Sequence, residues 1–338
     1  MSEAQAAAQA MMNFVLGVPV SRMIGAAAEL GIPRALGSGP QRAEAVARTV
    51  GTDPSATYRL MRALSALGVL TEAQSGEFSL TAMGECLLPD RPGSFDALAR
   101  MNNSPWMAGA YGEILHSVRT GQSGFDKHHG KGLFEWMSEH PTEQRLFGQA
   151  MSTFSGMEVA LVLGAYDFSR VQHVVDVGGG FGMLVTSILE AAPHARATLF
   201  DRPAVVAQAK ATLVNPQVRG RCELIGGDFF ELIPKGGDLY LLKHILHDWD
   251  DAQALRILQA VASAMPRGAK LLVMEQGISP PGTPNPGKIM DVIMLMLLAG
   301  GRERTVTQHA SLFEQAGLRF QREIRTPGPI TLFEGARD

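Results

Sequence analysis

Two histidines, His244 and His247, stand three residues apart in the segment 243–249, which reads KHILHDW and follows a predicted strand. A pair at this spacing could bind a metal, but no further Cys, His or Asp set of ligand spacing supports one, and no metal site is predicted. General-base catalysis is the better use. A neutral imidazole, with an ordinary pKa of about 6.5, can take the proton of a phenol-like hydroxyl with a pKa of about 10 as that oxygen attacks. His247 is the predicted base.

A histidine base needs a partner that orients its second ring nitrogen. Glu275 ends a later predicted strand, and Glu303 lies in the segment 300–305, GGRERT. Either residue alone would more often be a structural or solvated carboxylate. Together with His247 they form a candidate catalytic group.

A glycine-rich turn follows the first strong strand, in the segment 174–182, VVDVGGGFG. Glycines allow a tight turn and a close approach to a ligand, and Gly178 and Gly180 are predicted to contact a cofactor. The spacing lacks the third glycine of the dinucleotide fingerprint and the lysine of a P-loop. Asp176, just before the glycines, would repel a pyrophosphate and suits a cationic or amino-bearing ligand. The alternative is a turn that serves only the fold.

Two further strand ends carry carboxylates. Asp201 ends the second strand, where it could accept hydrogen bonds from ribose hydroxyls. Asp228 and Phe229 follow the third strand, where they offer an acceptor for an adenine amino group and an aromatic face for its ring. Three acidic strand ends beside an aromatic side chain describe a nucleoside site without a phosphate clamp, which is the profile of S-adenosylmethionine.

The elements that position these residues alternate between strands and helices from about residue 171 onward, which predicts an α/β fold with a doubly wound, Rossmann-like, mainly parallel sheet. Ligands of such sheets bind outside the carboxyl ends of the strands. The predicted strands are 171–177, 197–200, 222–225, 238–242, 270–275, 319–325 and 330–334.

The first hundred residues read as helices with a winged-helix pattern of helix, turn, helix and hairpin. Pro19 is predicted to divide the stretch 4–30 into two helices, and Asp53 to cap a helix that begins at Pro54. DNA binding is one reading of the pattern. However, residues 1–100 hold eight Lys and Arg against nine Asp and Glu, and DNA-binding surfaces are normally basic. A packing or dimerisation module fits better.

The bulk composition excludes several classes of protein. Lys and Arg number 30 against 33 Asp and Glu, so no nucleic-acid partner is predicted. Two cysteines cannot build a disulfide framework, which favours a cytoplasmic location. The N-terminus lacks the positive start of a signal peptide, and the longest apolar run, 292–299, is too short to span a bilayer, so no membrane association is predicted.

These motifs together resemble the caffeic-acid-type O-methyltransferases, and bacterial members that methylate phenols or quinones in natural-product pathways are also similar. The likeness extends over nearly the whole chain. It implies an all-helical winged-helix dimerisation domain at 1–100, a helical linker and acceptor-pocket region at 101–160, and an S-adenosylmethionine-binding catalytic domain at 161–338. It also implies a cytoplasmic homodimer that produces S-adenosylhomocysteine and needs no metal.

The resemblance assigns roles to individual positions. His247 would be the base, with Glu275 and Glu303 flanking it, and Lys243 and Ser155 would join the cofactor site. The acceptor would be a small aromatic hydroxyl compound, and its pocket would be lined by Met107, Phe125, Met290, Ile293, Met294 and Leu298. From composition alone, the Met-rich stretch that contributes to this list could equally be ordinary core.

Three alternatives remain open at this stage. The same base could serve C-methylation of an enol, and the same fold could serve N-methylation. A winged-helix regulator that senses a small molecule is a second possibility. An NAD-linked oxidoreductase is the third, although the glycine spacing already counts against it.

Overall fold

The fold is described from a computed structural model, which covers residues 2–89, 91, 93–213 and 215–338. The chain divides into two compact units. One runs from the N-terminus to Ala108 and also includes Pro141–Thr153. The other combines Gly109–His140 with Phe154–Asp338. Residues of the predicted linker region 101–160 are therefore found in both units.

The N-terminal unit is built mainly from short helices around one apolar core that includes Ile32, Met61, Leu64 and Phe78. Its helices are α1 (Glu3–Val15), α2 (Gly17–Leu30), α3 (Ile32–Leu36), α4 (Ala43–Val50), α5 (Pro54–Ala66), α6 (Ala82–Glu85) and α7 (Asp96–Asn103). Its strands are β1 (Gln41–Arg42), β2 (Leu70–Glu72) and β3 (Glu77–Leu80), which pair in the order β1-β3-β2.

Two predictions for this unit need correction. It is not strictly all-helical, because β1 adds a third strand to the predicted hairpin, and a two-residue strand is too short to show a periodic pattern. Pro19 does not separate α1 from α2, since the break falls at Leu16. Pro19 instead occupies the first turn of α2, where a missing N–H costs no hydrogen bond. The prediction for Asp53 is confirmed, because its side chain accepts a hydrogen bond from the Ala56 N–H at 2.7 Å.

The middle of the chain is helical. Its elements are α8 (Pro105–Gly112), α9 (Ile114–Thr120), α10 (Gly124–His129), α11 (Leu133–Glu139) and α12 (Pro141–Ala165).

One described helix, α12, is long and apolar enough to cross a membrane, with 25 residues and a mean hydropathy of 1.3. The helices α1 and α2 meet the same criterion of length and composition only when they are taken together, as a pair bent by 45°. The core helix of a globular protein passes it too. Most of α12 lies within the region 101–160, which the resemblance implies to be helical.

The larger unit contains a seven-stranded sheet in the order β6-β5-β4-β7-β8-β10-β9. All neighbouring pairs from β6 to β8 are parallel, and β10 is antiparallel to both β8 and β9. The strands are β4 (His173–Val177), β5 (Arg196–Asp201), β6 (Cys222–Gly226), β7 (Leu239–Lys243), β8 (Lys270–Glu275), β9 (Arg319–Arg325) and β10 (Thr331–Ala336). The predicted doubly wound α/β fold is confirmed.

Helices cover both faces of this sheet. They are α13 (Met183–Ala191), α14 (Pro203–Thr212) and α15 (Pro216–Arg219) on one face, and α16 (Asp251–Ala264) and α18 (Val306–Gln315) on the other. The helix α17 (Gly287–Leu297) packs against α9 and α10 instead. Strands buried on both faces have continuous apolar sequences whose alternate residues point to opposite sides. In β7, Leu239 and Leu241 join one core, whereas Tyr240 and Leu242 join the other. These two cores fix the strands, and the loops after β4, β5, β6, β7 and β8 all emerge at one edge.

Candidate active site

The glycine-rich turn after β4 has a backbone conformation that residues other than glycine rarely adopt. Gly178, Gly180 and Gly182 have φ angles of 73°, 58° and 82°, in the left-handed region that favours glycine. The N–H groups of Gly178 and Gly179 donate to the Phe200 carbonyl at 2.8 and 3.3 Å. The turn is thereby held against the end of β5, and its last glycine precedes the first turn of α13.

The acidic strand ends differ in their surroundings. Asp176 is 2% exposed, its Oδ2 has no hydrogen-bond partner within the described chain, and burial raises its pKa to about 7. Asp201 accepts hydrogen bonds from the N–H groups of Gly180 at 2.8 Å and Arg202 at 2.7 Å. Burial nevertheless raises the pKa of Asp201 above its ordinary value. The sheet therefore brings Asp176 and Asp201 together beside the glycine turn.

The end of β6 supplies the third acidic position. Asp228 is exposed and accepts a hydrogen bond from the Phe230 N–H at 2.8 Å. Phe229 packs edge-on against Phe230 and Trp249, with ring centroids 4.9 and 6.1 Å apart. Because Asp201 pairs in register with Gly226, these groups lie next to the end of β5. An aromatic surface and two carboxylates thus occupy adjoining strand ends.

Lys243, at the end of β7, has a partner that sequence reasoning missed. Its Nζ lies 3.1 Å from Glu158 Oε2, and Glu158 also bonds to the Nε2 of His244 at 2.9 Å. Glu158 belongs to α12 and is 3% exposed, and its contacts with His244 and Lys243 lower its pKa to about 2 although burial acts to raise it. Ser155 lies one helical turn before it and is half-buried. No spacing rule links Glu158 to a strand eighty-five residues away.

His244 has an unusual backbone. Its φ of 53° is the one positive value among the non-glycine residues that the structure describes, and such a conformation is uncommon outside functional sites and turns. The bond to Glu158 holds the side chain, and the ring stacks on that of His247 with centroids 5.1 Å apart. Among the described residues, no three His, Cys, Asp or Glu side chains lie together as a possible metal site.

His247 lies in a 3-10 turn, Leu246–Asp248, directly after β7 and is 7% exposed. Its Nδ1 is 2.7 Å from Glu303 Oε1, and its Nε2 is 3.4 Å from Asp248 Oδ1. Burial acts to lower the pKa of His247. The carboxylates of Glu303, Asp248 and Glu275 outweigh it and raise this pKa to about 9. The ring is therefore oriented through Nδ1, and Nε2 is the nitrogen available for proton transfer.

Glu275 is fully buried at the end of β8, and its hydrogen bond differs from the expected one. Its Oε1 accepts from the backbone N–H of His247 at 2.9 Å, so Glu275 fixes the turn while Glu303 orients the ring. Burial raises the pKa of Glu275 to about 7. The backbone of Glu303 is also held in place, because its N–H donates to Asp291 Oδ1 of α17 at 2.9 Å. The sheet and the segment before α18 therefore converge on His247.

Arg304 is a second residue that sequence reasoning missed. Its side chain is 0% exposed and donates to the carbonyls of Leu246 at 2.8 Å and Trp249 at 2.7 Å, and to Asp251 Oδ1 at 2.9 Å. An arginine in a loop normally suggests an exposed cation. Here it satisfies the carbonyl groups of Leu246 and Trp249, on both sides of the turn that carries His247, and holds the shape of that turn.

We expect Arg304→Met to destabilise the protein by about 3 kcal/mol, because it leaves buried carbonyl groups without donors. Arg302→Met is the matched control. That side chain is 46% exposed and lies 3.7 Å from the same Asp251, so its removal should change stability by less than about 0.5 kcal/mol. Denaturant unfolding of both variants measures the difference. Equal effects would show that Arg304 does not support the turn.

The predicted acceptor-pocket residues occupy several elements. Phe125 is completely buried in α10, which packs against α17, the helix that carries Met290, Ile293 and Met294. Phe125 packs edge-on against Trp136, with ring centroids 5.8 Å apart. Leu298 follows the last residue of α17 and is 7% exposed.

Met107 is also fully buried, but it belongs to the N-terminal unit. The structure places Phe125 and the α17 residues in the same unit as His247.

Comparison with known proteins defines the class. Residues 12–90 match the O-methyltransferase dimerisation domain, and residues 111–319 match the O-methyltransferase domain. The mitomycin biosynthesis 6-O-methyltransferase of Streptomyces lavendulae is 38% identical over 334 residues, covering 98% of this chain and 95% of the relative. The 8-amino-8-demethylriboflavin N,N-dimethyltransferase of Streptomyces davaonensis is 33% identical over 315 residues, covering 92% and 90%.

The structural similarity agrees with these matches. The crystal structure of human N-acetylserotonin methyltransferase in complex with S-adenosylmethionine covers this chain completely, with 98% of its own chain aligned, a TM-score of 0.90 and 26% identity. Fold and site together define a Rossmann-like methyltransferase. The chain belongs to the O-methyltransferase family and is an S-adenosylmethionine-dependent O-methyltransferase with an N-terminal dimerisation domain. The resemblance seen in the sequence is confirmed, and the regulator and oxidoreductase alternatives are set aside.

Proposed function

We propose that this enzyme transfers the methyl group of S-adenosylmethionine to a hydroxyl group of a small aromatic natural product, with His247 as the general base. The observation that carries the proposal is the 2.7 Å contact between His247 Nδ1 and Glu303 Oε1, which leaves Nε2 for the acceptor proton. The name of the Streptomyces lavendulae relative, an O-methyltransferase of mitomycin biosynthesis, supports this reaction and this class of acceptor.

The cofactor would be held at the strand ends by the groups predicted for it. Asp201 would accept hydrogen bonds from ribose hydroxyls through its remaining lone pairs, and Asp228 and Phe229 would receive the adenine. The buried Oδ2 of Asp176 has no hydrogen-bond partner among the described residues, which suits a positively charged or amino-bearing ligand. Lys243 and Ser155 would complete the site with the glycines Gly178 and Gly180.

The protein has two tasks in this reaction: it aligns the acceptor oxygen with the methyl group, and it removes the proton of the acceptor hydroxyl. S-adenosylmethionine supplies an activated methyl group, which the acceptor oxygen receives in line. His247 Nε2 takes the hydroxyl proton, and Glu303 stabilises the resulting imidazolium through Nδ1. Glu275 and Arg304 keep the turn in position, and no metal takes part in any of these steps.

The acceptor pocket would place Phe125 and the Met-rich face of α17, with Met290, Ile293 and Met294, against a flat ring. Leu298 would be a further lining residue, and Met107 stays a prediction from the sequence resemblance. The dimerisation-domain match supports a homodimer. Residues of α1 such as Phe14, which is 80% exposed, would then be covered by the second copy.

N-methylation is a second candidate, because a relative 33% identical to this chain is named an N,N-dimethyltransferase. An aromatic amine loses its proton after attack and needs a base less than a phenol does. Release of S-adenosylhomocysteine from hydroxylated aromatics and from their amino-substituted counterparts separates the two candidates. We expect turnover with the hydroxyl compounds, and turnover confined to the amines would contradict the proposal.

Gly178→Ala should weaken binding of S-adenosylhomocysteine at least about tenfold, because the residue needs φ 73° and an added Cβ would lie 2.3 Å from Ile245 Cδ1. Gly132→Ala is the control, since that glycine has φ −65° and open space around it. Titration calorimetry gives both dissociation constants. Unchanged affinity in Gly178→Ala would place the cofactor elsewhere.

A further inference from the structure

Behind the catalytic turn lies a buried pair, Glu275 and His309, whose second contact the proposed mechanism does not use. Both side chains are 0% exposed, and Glu275 Oε2 lies 3.5 Å from His309 Nε2. Neither atom has a hydrogen-bond partner within the described chain. The His309 ring stacks on Phe333, with centroids 3.9 Å apart. The two polar atoms therefore face each other in a region closed to solvent.

Four titratable or charged groups face Glu275. They are His247 from the 3-10 turn, Glu303 and Arg304 from the segment before α18, and His309 from α18. If Glu275 and Glu303 were both ionised, two buried negative charges would act on the His247 imidazole in addition to Asp248, which lies 3.4 Å from Nε2. Arg304 is already committed to Asp251 and two carbonyl groups. A buried carboxylate that lacks its own counter-ion takes up a proton instead.

The hydrogen bonds decide which oxygen carries that proton. The His247 N–H donates to Glu275 Oε1 at 2.9 Å, so Oε1 has to be an acceptor. The proton then resides on Oε2, which faces Nε2 of His309. A neutral imidazole protonated on Nδ1 accepts a hydrogen bond at Nε2. Without this acceptor, the proton is free to move to Oε1. There it would point at the His247 N–H and break the hydrogen bond between them.

We propose that Glu275 acts as a neutral carboxylic acid whose Oε2–H donates to His309, and that His309 is a positioning residue which reserves Oε1 for the backbone of His247. This inference rests on the proposed function, since it concerns the turn that holds the base. Burial, which raises the pKa of Glu275 to about 7 and lowers that of His309 to about 3, agrees with this assignment. Glu303 is then the carboxylate whose negative charge acts most strongly on His247.

Glu275→Gln tests the charge, because the amide oxygen can accept from His247 while the amide N–H donates to His309. We expect Glu275→Gln to leave the midpoint of the acid limb of the pH–rate profile within about 0.5 pH units of the wild type, because no negative charge is lost. Glu275→Leu should lose more than about tenfold in kcat, since it cannot hold the turn. If Glu275 is ionised, Glu275→Gln removes a negative charge beside His247. The midpoint of the acid limb should then fall by more than about one pH unit.

A readout that does not depend on turnover keeps the proposal separate from the proposed function. The infrared difference spectrum between wild type and Glu275→Gln at neutral pH should contain the carbonyl stretch of a protonated carboxylic acid. Absence of this band would overturn the proposal, whether or not His247 is the base. If the band is present while His247→Ala keeps its activity, the proposed function fails and the protonation of Glu275 stands.

His309 is tested by a pair of variants. His309→Phe keeps a ring against Phe333 but removes the acceptor, and His309→Gln restores an acceptor oxygen without the ring. We expect His309→Phe to lower kcat about fivefold with an unchanged KM for S-adenosylmethionine, and His309→Gln to recover most of the loss. Full activity in His309→Phe, or a deeper loss in His309→Gln, would show that ring packing is the role of His309.

Discussion

His247→Ala should lower kcat by about 10²- to 10⁴-fold, the usual contribution of a positioned general base. The reason is that Nε2 of His247 is the group left to accept the hydroxyl proton once Nδ1 is bound to Glu303. Affinity for S-adenosylhomocysteine should change by less than about threefold, because the predicted cofactor groups lie on other strand ends. Steady-state kinetics and titration calorimetry measure the two quantities.

The control for this variant is His128→Ala, which removes an exposed histidine of α10. We expect it to retain most of its activity. A kcat for His247→Ala within a few-fold of the wild type would mean that proton removal occurs elsewhere or is not needed. Loss of both activity and cofactor affinity would point to collapse of the turn, which thermal unfolding of the variant would reveal.

Glu303→Gln should have the second-largest effect on catalysis, lowering kcat by about 10- to 100-fold. The amide can still accept a hydrogen bond from His247 Nδ1–H, but it no longer offers a negative charge to the imidazolium. The variant therefore separates the orienting role of Glu303 from its electrostatic role. Measurement of kcat over a range of pH gives the size of each.

The sign of the pH effect follows from the environment of His247. The base form increases with pH, so kcat/KM should rise through the pKa of His247 in the free enzyme, which the neighbouring carboxylates hold near 9. Removal of the Glu303 charge leaves burial as the larger influence, and burial lowers the pKa of a histidine. The acid limb of Glu303→Gln should therefore move to lower pH by at least about one unit. An acid limb at the same pH as in the wild type would show that the charge of Glu303 does not control the pKa of His247.

Much of the fold was predictable because its signals are local. The strands of the larger unit are short apolar runs followed by glycine or acidic residues, and this pattern gives both the parallel sheet and the edge where ligands bind. Asp176, Asp201 and His247 could be placed there because the carboxyl ends of parallel strands share one edge. The short strand β1 and the position of the break between α1 and α2 were not predictable, since both depend on contacts within the N-terminal unit.

The parts of the site that sequence reasoning missed are long-range polar contacts. Glu158 reaches Lys243 and His244 from a helix that reads as apolar, and Arg304 is buried although its sequence context suggests a surface loop. Neither contact has a characteristic spacing. Glu275 was associated with His247, but only the structure shows that it binds the backbone rather than the ring. Partners of this kind follow from the fold and not from a motif.

The central claim is tested most directly by the product formed with S-adenosylmethionine labelled with carbon-13 in its methyl group. The purified enzyme would be supplied with matched pairs of aromatics that differ only in carrying a hydroxyl or an amino group, and with His247→Ala as the parallel enzyme. We predict a labelled methyl ether, identified by mass and by its carbon-13 chemical shift, that forms with wild type and almost disappears with His247→Ala. Label on nitrogen or carbon alone, or an equal yield of ether from both enzymes, would contradict the account.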